Sequence, residues 1–243
     1  MKKLFTAIRH SDIEEVKRIL DKKPEEVNCV AGPTPKKDHG QSPLQVALKN
    51  GQIEIADYLI DHGADINYCE AEDEDNGLRM PVIFDAITAI IDSLCYKKFD
   101  ISDKALIILK KLINNGANVN SFTSNGLGTI NWAVLKAGNI ILYPNLYMES
   151  QVEVRNKLAR ILDLLIENGV DIIAWADRGY YAKPSASPTS RVMLLNPVNM
   201  QSGLNLEKME PMRDFMQEYF RSKDIILIND AQSIKYKDFE KIQ

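Results

Sequence analysis

Histidine and cysteine are scarce in this chain, three of each, and no two of them stand at metal-ligand spacing. Cys29, Cys69 and Cys95 are an odd, scattered set, which points to free thiols in a reducing compartment rather than a disulfide framework. Nothing pairs a serine or cysteine with His10, His39 or His62, so no catalytic residue, metal ligand or cofactor is assigned. A Gly-Lys-Ser/Thr phosphate loop is absent. Gly126-Leu127-Gly128 lacks a preceding strand and a third glycine and reads as a turn. No run is apolar for long enough to span a bilayer. The start, Met1 to Phe5, is faintly signal-like, but Arg9, His10 and Asp12 interrupt any apolar core, so a cytoplasmic chain is expected. A net charge of −4 argues against a nucleic-acid partner.

What is present is a short unit with a fixed start and a fixed stop, clearest between Gly40 and Asn67. Ser42 can cap a helix, and Pro43 sits at the first helical position, where its missing N–H costs nothing. Leu44, Ala47 and Leu48 share a face, and Asn50-Gly51 stops the helix. Ile53, Ala56, Leu59 and Ile60 then recur at helical spacing up to Gly63-Ala64, a left-handed exit and a sharp return. Two such helices with one apolar face cannot bury it alone and require stacked neighbours.

Degenerate copies flank this unit. Alanines recur at Ala7, Ala47, Ala86 and Ala133, each within a short apolar helix. Exit signals recur at Glu26-Val27-Asn28, Asp65-Ile66-Asn67, Asn118-Val119-Asn120 and Val170-Asp171-Ile172. Second helices follow from Ile13, Val16, Ile19 and Leu20, from Leu106, Leu109, Leu112 and Ile113, and from Leu158, Ile161, Leu162, Leu165 and Ile166.

The second unit resembles the ankyrin-repeat family, in which Thr-Pro-Leu-His opens the first helix and Gly-Ala-Asp-Val-Asn follows the second. The resemblance covers roughly residues 2 to 173. It implies an all-α ankyrin-repeat solenoid of about five helix–turn–helix repeats in a single domain, 1–243. The repeats would span 1–33, 34–70, 71–122 and 123–174, with 175–243 a degenerate capping repeat and tail. The family's histidine is replaced by Phe5, Gln45, Phe84 and Asn131, which puts its inter-repeat hydrogen bonds in question.

Insertions are expected between the helices of repeats 3 and 4, at Asp92 to Asp100 and from Gly138 to Gln151. Tyr96, Phe99, Tyr143 and Tyr147 either pack on one another there or form an aromatic binding edge. The acidic stretch from Glu70 to Gly77 invites a calcium reading, but the closing ligand would be Ile83, which cannot coordinate. It reads instead as a solvated finger, open to pairing with Arg79 or with a basic partner. In the tail, Met209, Met212, Phe215, Met216, Tyr219 and Phe220 predict an amphipathic helix, read as a cap, a partner groove or part of a small separate domain.

The resemblance implies a non-enzymatic, monomeric scaffold that binds another protein on a concave surface, with no membrane contact. The candidate residues it implies are Asp38, Gln41, Lys49 and Asn50, then Arg79, Asp85 and Thr88, then Ser124, Leu127, Trp132 and Lys136, with Tyr143 and Tyr147 from the insertion edge. Trp132 is either a partner anchor or a space-filler. The Lys-, Ile- and Asn-rich usage is compatible with a bacterial origin, where such an array can neutralise a toxin or enzyme by covering it. The competing class is an enzyme or small-molecule binder with its site in the insertions and tail.

Overall fold

The computed structural model describes residues 2–72, 78–124, 126–170 and 206–223. The chain divides into two compact units, Met1–Ser124 and Asn125–Gln243. The elements of both are helices and short 3₁₀ turns, with no strand among the described residues.

The first unit holds three helix pairs. These are α1 (Lys2–Arg9) with α2 (Ile13–Lys22), α3 (Pro43–Lys49) with α4 (Ile53–Asp61), and α5 (Val82–Cys95) with α6 (Phe99–Asn114). Helix α3 packs against α1 and α5, and α4 against α2 and α6, so the pairs form two layers. Helix α3 shows why the second pair is the clearest in sequence. Ser42 Oγ accepts from the Gln45 N–H at 3.2 Å, and Gln45 Oε1 accepts from the Ser42 N–H at 3.1 Å. This reciprocal cap satisfies two donors that the helix leaves open. Gln45 Nε2 also donates to the Met80 carbonyl at 2.7 Å. The residue in place of the family's histidine therefore still bridges to the next pair.

The turns repeat as closely as the helices. Ser11, Gly51 and Lys97 take left-handed φ values of 61°, 68° and 56° between the two helices of each pair. The next N–H then reaches back, Asp12 to Ala7, Gln52 to Ala47 and Lys98 to Ser93. At the exits Gly63 and Gly116 are left-handed, at 85° and 95°. One asparagine per exit clasps the following exit. Asn28 Nδ2 donates to the Gly63 carbonyl at 3.0 Å, and its Oδ1 accepts from the Asp65 N–H at 2.7 Å. Asn67 does the same to Gly116 and Asn118, at 3.1 and 2.8 Å.

The third pair corrects one expectation. Asp92 to Asp100 is not an insertion loop, because α5 and α6 extend into it and leave only Tyr96, Lys97 and Lys98 as the turn. Ile90, Ile91 and Leu94 are buried, so the apolar face continues past the length of α3. Ser93 Oγ and Ser102 Oγ turn back on the Ala89 and Ile90 carbonyls, at 2.7 and 2.8 Å. Buried hydroxyls are thereby satisfied without a loop.

The second unit contains α7 (Thr129–Ile141), α8 (Gln151–Glu167) and α9 (Leu206–Ser222), with α7 packed against both others. Leu158, Ile161, Leu162 and Leu165 are fully buried on α8. On α9 Met212, Met216, Tyr219 and Phe220 are buried, as their spacing predicts. Tyr219 donates its hydroxyl to Asp163 of α8 at 2.7 Å, and Lys223 pairs with the same carboxylate at 2.6 Å. The remaining tail features, Tyr180 to Pro188, Arg191 to Leu195 and Ile225 to Ile228, lie outside the described residues.

Asn67→Ala removes both arms of one clasp and is expected to lower stability by roughly 1–2 kcal/mol. Lys97→Gly relieves a left-handed side-chain residue and is expected to raise stability by about 0.5–1 kcal/mol. Urea unfolding of each variant beside the native chain reads both changes, and an unchanged Asn67→Ala midpoint would show the clasp to be idle.

Candidate protein-binding face

The loops that precede α3 and α5 carry many of the candidate residues. Asp38 is fully buried, with Arg9 Nη1 of α1 at 2.7 Å from its Oδ2 and Lys49 Nζ at 3.9 Å from its Oδ1. Lys49 also reaches Gln41 Oε1 at 3.2 Å and the Lys37 carbonyl. Gln41 Nε2 donates to Glu70 at 3.4 Å, and Glu70 accepts from the Met80 N–H at 2.8 Å. The Tyr68 hydroxyl donates to the Gly40 carbonyl at 2.6 Å. These contacts form a polar belt that ties each loop to its neighbour.

Burial within this belt corrects three sequence expectations. Asp38, Gln41 and Asp85 are buried instead of facing a partner; Asp38 and Gln41 hold loops, while Asp85 lies on α5 near Gln45 and Glu70. Asp85 is 2% exposed, and its Oδ2, like the Oδ1 of Asp38, has no hydrogen-bond partner among the described residues. Burial pushes its carboxyl well above the ordinary range, and the charge of Glu70 adds to this against opposition from Gln45 and Lys49.

Other candidates stay accessible. Lys49 and Ser124 are exposed, while Asn50, Arg79 and Thr88 are half-buried. Asn50 Nδ2 is engaged with the Val46 carbonyl at 2.7 Å. Arg79 pairs with Glu72 at 3.7 Å, as the sequence allowed, and its N–H donates to Ser124 Oγ at 3.1 Å. Residues 73–77 of the acidic finger lie outside the described residues. His62 closes α4 with its Nδ1 2.7 Å from the Tyr58 carbonyl and its ring stacked on Tyr58, in keeping with a helix-end role.

In the second unit Leu127 is buried and Trp132 is only 9% exposed, so neither is presented as a free anchor. Lys136 Nζ stands 6.0 Å from the Trp132 ring centroid. The accessible apolar surface lies instead in the connection from α7 to α8. Tyr143 is exposed there and Tyr147 half-buried, and Leu146, Met148 and Val152 are 73%, 75% and 72% exposed. Leu146 and Val152 were not legible as surface residues, because an apolar residue near a helix start is ordinarily assigned to the core. In the first unit Tyr96 is likewise exposed at its turn.

Chemistry of other kinds finds little support among the described residues. No group of three or more His, Cys, Asp or Glu is arranged to hold a metal, and no helix is long and apolar enough to cross a membrane. None of the three cysteines is in a disulfide, and burial pushes the Cys29 thiol up to about 11, away from a reactive thiolate at neutral pH. A site built from the tail would draw on residues that lie largely outside those described.

Asp85 generates a pH prediction. Between the ordinary value of 3.8 and its raised folded value, the native chain holds a proton that the unfolded chain has released. Stability therefore falls as pH rises through that window, and the full penalty is present above it. Asp85→Asn is expected to remove this slope and to raise stability at neutral pH by roughly 1–3 kcal/mol. Below pH 3.8 the two proteins should differ little. Urea unfolding across pH reads the slopes, and equal slopes would overturn the assignment.

Comparison with known proteins agrees with this geometry over the first two pairs. A family model described as ankyrin repeats (three copies) matches residues 2–69. No curated protein matches the chain. The chain carries ankyrin repeats in residues 2–69, the stretch that holds the α3 capping box, the Gly63 exit and the Asn28 clasp.

Proposed function

We propose that this chain is a non-enzymatic protein–protein interaction scaffold, monomeric and cytoplasmic. The observation that carries the reading is the run of ankyrin repeats at residues 2–69, a type of repeat that indicates protein binding and belongs to a typically non-enzymatic family. The proposal extends the array to the later helix pairs, treats 1–243 as one domain, and takes α9 as part of a degenerate cap. Clasps and polar belt hold the first unit's loops in place, so little conformational freedom is lost when a partner is seated. Two surfaces support the reading. One comprises Lys49, Asn50, Arg79, Thr88 and Ser124 on the first unit. The other is the apolar knuckle around Tyr143, Leu146 and Tyr147 on the second. In its finest form the reading makes the partner a toxin or enzyme neutralised by being covered.

The test is a tagged pull-down from the native host with the wild-type chain and two variants. One is Tyr143→Ala/Leu146→Ala/Tyr147→Ala, and the other Arg79→Glu. Each is first shown to unfold at the wild-type midpoint. A stoichiometric protein partner is expected, released by at least one variant. Wild-type protein that is folded yet captures nothing, or a partner held equally by all three, would overturn the proposal.

A further inference from the structure

Helix α1 is bordered by an open groove of about 530 Å³. Lys2, Phe5 and Arg9 form one wall, and Val30, Pro33 and Pro35 belong to the other. The base is apolar, with Phe5 buried and Val30 41% exposed. Both charged residues that line the groove, Lys2 and Arg9, are cationic. The Asp38 carboxylate that Arg9 engages is fully buried. Its grip, with an Arg9 Nη2 contact to Thr6 Oγ1 at 3.3 Å, fixes the guanidinium in place while its side chain stays 22% exposed.

We propose that this groove seats an extended, acidic segment of a protein partner. A large apolar side chain lies on Val30 and Pro33, and a neighbouring carboxylate lies between Lys2 and Arg9. The proposal deepens the scaffold reading and rests on it. The volume suits a few residues of extended chain, within the range of small binding clefts. Charge of one sign at the rim selects acidic sequence and speeds encounter. A held guanidinium is suited to a carboxylate because its donors are pre-aligned. A nucleic-acid strand fits less well, because the groove's one aromatic ring, Phe5, is buried and offers no stacking face.

The test pans a phage-displayed library of random dodecapeptides on the intact chain, then titrates labelled synthetic copies of the enriched peptides. Lys2→Glu and Val30→Asp alter exposed side chains and should unfold at the wild-type midpoint. Enriched peptides are expected to be acidic around a large apolar residue, to weaken with salt, and to lose about tenfold in affinity to either variant. Failure to enrich, enrichment of neutral or basic peptides, equal affinity for wild type and both variants, or tighter binding of a twelve-residue oligothymidylate would each overturn the proposal. The two readings fail separately. A pull-down partner that binds Lys2→Glu and Val30→Asp as it binds wild type overturns the groove alone. Acidic peptides selected by a chain that captures no host protein overturn the scaffold reading alone.

Discussion

A helix pair of seven and nine residues has no core of its own, and α3 with α4 is such a pair. Its stability is borrowed from the pairs on either side, so the joints between pairs govern the first unit. The apolar layers supply the driving force, but they are nearly featureless along the stacking direction. Register comes from polar joints, which are directional. Asn28 and Asn67 each grip a carbonyl and an N–H one exit further on, and Gln45 grips the Met80 carbonyl. Lys111 adds an outer joint between the second helices, pairing with Asp57 and Asp61 of α4 at 2.6 and 2.7 Å. Its carboxylate partners are exposed, so its contribution is modest.

The polar belt solves a different problem, that of holding loops without regular hydrogen bonding. Arg9, Asp38, Lys49, Gln41 and Glu70 pass from α1 to the loop before α5 with a partner at each step. Asp85 sits beside this chain of contacts with one oxygen unpartnered and a second carboxylate near it. Stability is conceded there, since a buried carboxyl with an unsatisfied oxygen costs free energy.

Much of this architecture was legible because it depends on residue types with few substitutes. Glycine after a helix, serine and proline before one, and asparagine at an exit each answer a local backbone demand that sequence displays directly. Those signals placed the second pair, and apolar spacing placed α2 and the heart of α9, nearly as they are found. Burial was less legible. Asp38, Gln41 and Asp85 are polar, and polarity read position by position points outward. Only the partner side chains, 29 positions away for Arg9 with Asp38 and for Gln41 with Glu70, turn them inward. The long third pair was misread for a related reason, since Ile90 to Leu94 continues the apolar face but Ser93 looks like a break until its hydroxyl bonds to Ala89. The exposure of Leu146 and Val152 was hidden in the opposite sense, apolar residues that the fold leaves uncovered.

The forward reach of the asparagines has a consequence for how such a chain grows. The second pair carries at one exit both the Gly63 turn that Asn28 of the pair before it grips and the Asn67 that grips the pair after it. Donor and acceptor therefore travel together in the segment that runs from one asparagine to the next. Duplicating such a segment within the gene adds a link whose two ends are already matched, and deleting one rejoins neighbours that still fit. The genetic unit of insertion and loss coincides with the mechanical unit of the stack, so arrays built this way can change length without inventing a new joint.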